Sequence, residues 1–301
     1  MNPYISVIIC THNPKKNYIE RVLAALRSQS LSAEQWELLL IDNASKQPLA
    51  QEIDLSWHPD ARHIREEQLG LTPARLRGIK EAQAELLVFV DDDNVLASNY
   101  LEVALSISRN WSILGAWGGQ VKPEFEQKPP EWTKPYWGAL AIKEFEQDKW
   151  SNLPETVPCG AGICIRKSVG EKYIDLIEKN QKRLQLDRKG TQLLSAGDLD
   201  LALTSNELGL GTGLFVQLKL THLIPPYRLE EEYLDRWIEG NSYSCVMLDS
   251  FRGKTPTIDF TLIRKIIEFY RMSRMQPRER RFYKAWRRGQ KLAFQELQNV
   301  Y

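Results

Sequence analysis

Three short apolar runs, each closed by a polar cluster, constrain this chain more than any other feature. Tyr4-Ile-Ser-Val-Ile-Ile-Cys10 leads into Thr11-His12-Asn13, Trp36-Glu-Leu-Leu-Leu-Ile41 into Asp42-Asn43, and Leu86-Leu-Val-Phe-Val90 into Asp91-Asp92-Asp93-Asn94. Runs of this length, rich in Val, Ile and Leu, suit strands covered on both faces, as in a parallel sheet. Between them the period changes. Ile19, Val22, Leu23 and Leu26 fall on one helical stripe after Pro14, and a second helix is predicted over about 73–84. Strands alternating with helices imply parallel connections and an α/β fold. In open sheets of this kind ligands bind beyond the carboxyl ends of the strands, where all three polar clusters would converge. Turn formation explains any one cluster as well; three at the same end imply a nucleotide-binding architecture.

At 301 residues the chain has room for a catalytic domain plus an appendage. Forty Lys and Arg stand against 39 Asp and Glu, so no global field draws the protein to nucleic acid, and none is expected as a partner. No apolar stretch approaches the roughly 20 residues of a membrane span. The first run lacks a basic leader and a small-residue cleavage site, so no signal peptide and a cytoplasmic location are expected. Cys10, Cys159, Cys164 and Cys245 form no CxxC pair and are expected reduced and packed in the core, with a zinc site of Cys159, Cys164 and His222 as the minor alternative.

The second half is less regular. Residues 111–150 hold Trp111, Trp117, Trp132, Trp137 and Trp150 among several prolines, a composition of loops and strand edges whose aromatics serve as core or as a platform for an apolar sugar face. Cys159-Gly-Ala-Gly-Ile-Cys-Ile165 reads as a small-residue turn entering a strand, and Ser168-Val-Gly-Glu171 as a capping box opening a helix. A further helix is predicted from Gly197-Asp198 to Glu207, with Gly209 as its C′ residue. Residues 262–301 carry eleven basic side chains and three acidic ones, interleaved with Phe269, Tyr270, Phe282, Tyr283 and Trp286. Such a basic amphipathic arm suits peripheral contact with an anionic membrane at its inner face; a helical hairpin packed on the domain is the competing reading.

Asp91, Asp92 and Asp93 repel one another unless a cation is near. Mg²⁺ or Mn²⁺ is the natural partner, since each prefers oxygen ligands and completes its shell with phosphates. Ser6-Val-Ile-Ile-Cys-Thr-His-Asn13, Leu40-Ile-Asp-Asn-Ala-Ser45, Gly70-Leu-Thr-Pro-Ala-Arg75 and Phe89-Val-Asp-Asp-Asp-Asn94, in this order and spacing, resemble the family 2 glycosyltransferases of the GT-A fold. The likeness continues less sharply through Gly160-Ala-Gly162, Ala196-Gly-Asp-Leu-Asp-Leu201 and His222-Leu-Ile-Pro225, to about residue 240.

The resemblance implies a GT-A, Rossmann-like fold with a mainly parallel central sheet and a C-terminal helical extension. Its domain would span 1–240, with a nucleotide-sugar half (1–110) and an acceptor half (111–240), followed by the extension at 241–301. It implies an inverting, metal-dependent transfer of a sugar from a nucleoside diphosphate donor to a hydroxyl on a glycan or lipid-linked acceptor. Thr11, His12, Asn13 and Asn43 would line the nucleotide-sugar pocket, Asp42 would face the nucleobase, and Arg75 would approach the base or phosphate. Asp91 and Asp93 match the ends of the family's Asp-x-Asp motif. Asp93 is expected on the metal directly, Asp91 or Asp92 on the ribose or a metal-bound water, and His222 as a further metal or diphosphate contact or a structural histidine. Asp198 corresponds to the catalytic base, with Asp200 competing for that role and simple N-capping as its bland alternative. The chain departs from the pattern at Gly197, where Glu is usual. The absence of GxxxxGK[ST] and of GxGxxG after the first strand counts against P-loop and dinucleotide readings. A sugar-nucleotide nucleotidyl or phosphoryl transferase, or a nucleotide-binding module without catalysis, stays open beside the main reading.

Overall fold

The computed structural model of the chain describes residues 3–190, 193–254 and 262–298. Its strands are β1 (Ile5–Thr11), β2 (Trp36–Asn43), β3 (Ala61–Glu66), β4 (Leu86–Asp91), β5 (Asn94–Leu96), β6 (Leu114–Phe125), β7 (Lys149–Ser151), β8 (Cys164–Arg166) and β9 (Gly211–Ile224). The helices are α1 (Lys16–Arg27), α2 (Leu71–Glu81), α3 (Tyr100–Asn110), α4 (Lys167–Lys179), α5 (Gly197–Glu207), α6 (Glu231–Phe251), α7 (Leu262–Ser273) and α8 (Pro277–Gln298).

One curled sheet runs in the order β3-β2-β1-β4-β8-β6-β9-β5, with β7 paired to β9. β1 pairs in parallel with β2 and β4, β2 with β3, and β6 with β9; β8 is antiparallel to both β4 and β6. β1 and β2 are buried along their whole length, as their unbroken apolar runs require. Alternate residues feed two cores. Ile5, Val7 and Ile9 face α1 and α3 through Ile19, Val22, Leu26, Leu101 and Ala104. Ile8 and Cys10 face α2, α4 and α5 through Ala74, Ile79, Val169, Tyr173 and Leu201. A charged residue in β2 is tolerated because it is saturated: Glu37 accepts from Ser6 Oγ at 2.6 Å, Gln83 N at 2.6 Å and Arg62 Nη2 at 2.8 Å.

The predicted boundaries shift for local reasons. α2 covers Leu71–Glu81 because Gly70, at φ +143°, makes the turn that starts it, and Pro73 sits in the first turn, where no intrahelical N–H bond is lost. A Cβ on Gly78 would stand 2.5 Å from Ile8 Cγ2, so this glycine lets α2 lie close on β1. The expected capping box at Ser168 does not form: α4 begins at Lys167 straight from β8, no side chain caps it, and Lys167 N is taken by Glu85 O at 2.9 Å. α5 ends as predicted: Gly209 adopts φ +71°, its N–H reaches Asn206 O, and Leu210 N reaches Ser205 O, a Schellman closure.

The tryptophans of 111–150 belong to packing. Trp117 is fully buried, Trp111 lies tilted against Trp150 with ring centroids 4.5 Å apart, Trp137 meets Phe125 at 5.1 Å, and Trp132 meets Phe282 of α8 at 6.4 Å. The boundary expected at residue 240 falls inside α6, which runs unbroken from 231 to 251. Of the expected extension 241–301, residues 255–261 and 299–301 lie outside the described residues. Where it is described, α8 buries Phe282, Ala285 and Ala293, and Gly289 approaches α6 so closely that a Cβ there would stand 2.1 Å from Glu239 O. Arg278 pairs with Glu231 at 2.6 Å, and Arg288 with Asp235 at 2.8 Å and Glu239 at 2.7 Å. Arg278, Arg281 and Arg288 of the arm are thus answered by one acidic face of α6. α7 leaves Phe269 (73% exposed) and Tyr270 in solvent. No helix among the described residues is long and apolar enough to cross a membrane.

Candidate active site

The carboxyl ends of β1, β2 and β4 open onto a cavity of about 560 Å³. Thr11, His12, Asn43, Arg75, Asp91, Asp92, Asp93, Asp198 and His222 line it, so most residues singled out in the sequence are brought together. Asn13 and Asp42 stand outside this lining. Asn13, at φ +48°, accepts Lys46 N on its side-chain oxygen and donates its own N–H to Ser45 Oγ, organising the turn after β2. Asp42 is turned inward, accepting Ser45 N at 3.0 Å, Leu49 N at 3.1 Å and Arg65 Nη1 at 2.7 Å. Burial alone would raise its pKa, but these donors outweigh it and hold the carboxyl below its ordinary value. Asn43 serves as a clamp, donating to Gln68 O at 2.8 Å and accepting Gly70 N at 2.8 Å.

The three aspartates after β4 differ in their partners. Thr11 Oγ1 donates to Asp92. Asp93 Oδ2 accepts from Arg228 Nη1 at 3.1 Å and stands 3.2 Å from His222 Nε2, while its other oxygen accepts from Asn94 Nδ2 at 2.8 Å. Leu140 O, 2.8 Å from His222 Nδ1, can only accept, so that ring nitrogen carries a proton, and Nε2 stands 2.9 Å from Arg228 Nη1. Burial and the charge of Asp93 push Asp91 and Asp92 above the usual carboxylate range. For Asp93 burial pulls the same way, yet His222 and Arg228 prevail and hold it low.

The opposite wall comes from α2, α5, α6 and the segment before α5. Arg75 is buried and donates to Asp187 Oδ2 at 2.7 Å. Asp198, in the first turn of α5, accepts Gly160 N at 2.7 Å on one oxygen and Leu199 N at 2.9 Å on the other. It is not the N-cap, which is Ala196. Asp200 is elsewhere: fully buried, it binds Arg183 at 2.5 Å and Arg252 at 2.7 Å and does not line the cavity. Asp187 and Arg188 also line the cavity without having been singled out in the sequence, as do Arg228 and Trp237, of a stretch (228–240) expected to shape the acceptor site but given no individual roles. Arg228 follows Pro225-Pro226 directly after β9, and Asp187-Arg-Lys-Gly190 is a charged turn beside α5, the only local signals they carry. Cys10 and Cys164 pack in the core as expected, and Cys10, Cys159 and Cys245 reach the cavity lining as well. Burial pushes the Cys159 thiol up to about 11, away from nucleophilic use.

Among the described residues no three His, Cys, Asp or Glu side chains converge as a ready-made metal cage, the Cys159, Cys164 and His222 trio included. The donor set nonetheless fits a hard divalent ion held by one or two carboxylates and a ligand's phosphates, because Asp91 and Asp92 form no ion pair among the described residues.

A family model, Glycosyl transferase family 2, matches residues 6–174, more than half of the chain. The chain belongs to glycosyltransferase family 2. Glycosyltransferase AglE of Haloferax volcanii is 31% identical over 107 residues, 35% of each chain. Polypeptide N-acetylgalactosaminyltransferase 8 of Drosophila melanogaster is 33% identical over 104 residues, 33% of this chain and 18% of that protein. The matches therefore span about a third or less of these relatives' lengths. Crystal structures of S. aureus TarS share the fold: residues 1–349 superpose with a TM-score of 0.53 at 15% identity, covering 93% of this chain and 80% of that one. A second TarS structure gives 0.52 at 17%, covering 91% and 46%. The fold is the α/β GT-A type, as the four N-terminal motifs implied.

Proposed function

We propose that this family 2 member is a glycosyltransferase that moves a sugar from a nucleoside diphosphate donor to a hydroxyl of a glycan or lipid-linked acceptor, with inversion at the anomeric carbon. The observation that carries the reading is the meeting, in one cavity, of the carboxylates after β4 with the Asp198 carboxylate at the start of α5. Thr11, His12 and Asn43 would border the nucleotide, and Arg188 and Arg228 would offer cationic groups to the diphosphate. Mn²⁺ or Mg²⁺, held through Asp91 and Asp93, would neutralise charge developing on the leaving diphosphate. His222 joins such a site only if Arg228 leaves its Nε2. The acceptor oxygen attacks the sugar's C1 as the bond from C1 to the diphosphate oxygen breaks. Asp198 takes the acceptor's proton, the backbone donors Gly160 and Leu199 having fixed the carboxylate's orientation beforehand. Peripheral contact of α7 with an anionic membrane would bring a lipid-linked acceptor near, Phe269 and Tyr270 being exposed beside Arg271 and Arg274.

Calorimetric titration with UDP, GDP, dTDP and CDP, with and without Mn²⁺, tests the donor class. One diphosphate is expected to bind in a manner that needs both the metal and Asp93. Failure of all four to bind the folded, metal-loaded protein would sink the reading. NMR of fresh product is expected to show the inverted anomer.

A further inference from the structure

Gly197 stands where the family resemblance leads one to expect Glu, and the structure shows what fills the space. A Cβ built on Gly197 would lie 2.5 Å from Asp187 Oδ2 and 2.8 Å from Asp187 Cβ, so the Asp187 side chain occupies the room that a side chain at 197 would need. That carboxylate is well anchored. It accepts from Arg75 Nη1 at 2.7 Å and, on its other oxygen, from Arg188 N at 3.0 Å. Its segment is strapped on both sides, by Ala196 N to Leu186 O at 2.9 Å and Leu71 N to Arg188 O at 3.1 Å. The Arg75 and Asp187 side chains are only 5% and 7% exposed. Arg75 in turn lies against the Asp198 turn: a Cβ on Gly160 would be 2.9 Å from Arg75 Nη2 and 3.1 Å from Asp198 Cβ.

We propose that Asp187 is a positioning residue of this site, a carboxylate delivered from ten residues upstream into the space vacated at Gly197, where it holds Arg75 in place beside Asp198. The catalytic part of this inference rests on the glycosyltransferase reading above. Arg75 is a fixed cation with carboxylates around it. Held by Asp187, its guanidinium leaves the Asp198 carboxylate free to meet an acceptor hydroxyl; released, it is drawn onto Asp198 or Asp91, and the base is neutralised by an ion pair. Displacements of about 1 Å in such an arrangement cost on the order of a hundredfold in rate.

Relocating the carboxylate tests the idea. Asp187→Ala, Asp187→Asn, Gly197→Glu and the double variant Asp187→Ala/Gly197→Glu are compared by thermal unfolding and by diphosphate release from UDP-, GDP-, dTDP- and CDP-hexoses. Asp187→Ala is expected to lower kcat by roughly tenfold to a hundredfold while KM for the donor changes less than about threefold. Asp187→Asn keeps the side-chain oxygen without its charge and falls between. Gly197→Glu alone puts two carboxylates into one space, so both activity and Tm drop. The double variant is expected to recover at least about tenfold in kcat over Asp187→Ala, and to melt above it. A double variant no better than Asp187→Ala in kcat and Tm, or an unchanged kcat in Asp187→Ala, overturns the assignment. If the parent chain releases diphosphate from no donor, the glycosyltransferase reading fails, and the Tm comparison alone decides whether the carboxylate can be moved from 187 to 197.

Discussion

The wall made by β1, β2 and β4 and the wall facing it present the same kinds of group by different means. On the first, Thr11, His12, Asn43, Asp91, Asp92 and Asp93 arrive as the ends of three adjacent parallel strands, each within a few residues of the run that places it. On the second, Asp187, Asp198, Arg228 and Trp237 come from a turn, the first turn of α5, the segment after β9 and α6. Charge divides along the same line. The strand-end wall gathers acidic groups, Asp91 and Asp92 without ion pairs among the described residues, whereas the facing wall sets nearly every carboxylate against an arginine or a backbone N–H. A wall with unanswered negative charge invites a cation with a ligand; a wall of paired charge holds its geometry before any ligand arrives.

Asp198→Asn probes the facing wall most directly. It keeps an oxygen for Gly160 N, gives up the acceptor facing Leu199 N and loses the ability to take a proton, so kcat is expected to fall by roughly 10²–10⁴ with a much smaller effect on Tm. Asp200, two residues along the same helix, should behave in the opposite way. Asp200→Ala leaves Arg183 and Arg252 buried without their anion and is expected to lower stability by about 3–5 kcal/mol in urea unfolding. Gly289→Ala reaches the wall from outside: the added Cβ meets Glu239 O, and prying α8 from α6 is expected to cost about 1–3 kcal/mol and to disturb the helix that carries Trp237. Arg228→Met should move the boundary between the walls. Without the guanidinium at Asp93 and His222, Mn²⁺ binding in the absence of nucleotide is expected to tighten by on the order of tenfold, read by calorimetry. The smallest effect is predicted at Ser168: since no cap bond forms, Ser168→Ala should stay within about 0.5 kcal/mol of the parent chain.

The first wall was legible because its causes are local. An apolar run says strand, the polar residues closing it say strand end, and parallel pairing puts those ends on one edge. The same logic found α1 and the Schellman end of α5, whose stripe and glycine are written in a few consecutive residues. It overreached at Ser168-Val-Gly-Glu171, where β8 feeds directly into α4 and leaves no cap position for the serine. Asp42 stands outside the cavity lining, with its carboxylate accepting from Ser45, Leu49 and Arg65, which the sequence did not disclose. Arg228 and Asp187 escaped because each is defined by a partner far along the chain, Asp93 at 135 residues' separation and Arg75 at 112.

The sequence by itself determined the α/β order, the edge of the sheet where the cavity opens, the carboxylates that stand there and the family to which the chain belongs. Hydrophobic period and strand-end chemistry act over a handful of residues, so no folded coordinates are needed to read them. Tertiary structure alone separated Asp198 from Asp200, since both occupy the first turn of one helix and differ only in which side of it meets the cavity. It alone filled the vacancy at Gly197 with Asp187, and laid the basic face of α8 on the acids of α6. Those decisions depend on which charges burial forces together, and a buried charge takes its partner from whatever the fold brings within reach, however distant in the chain.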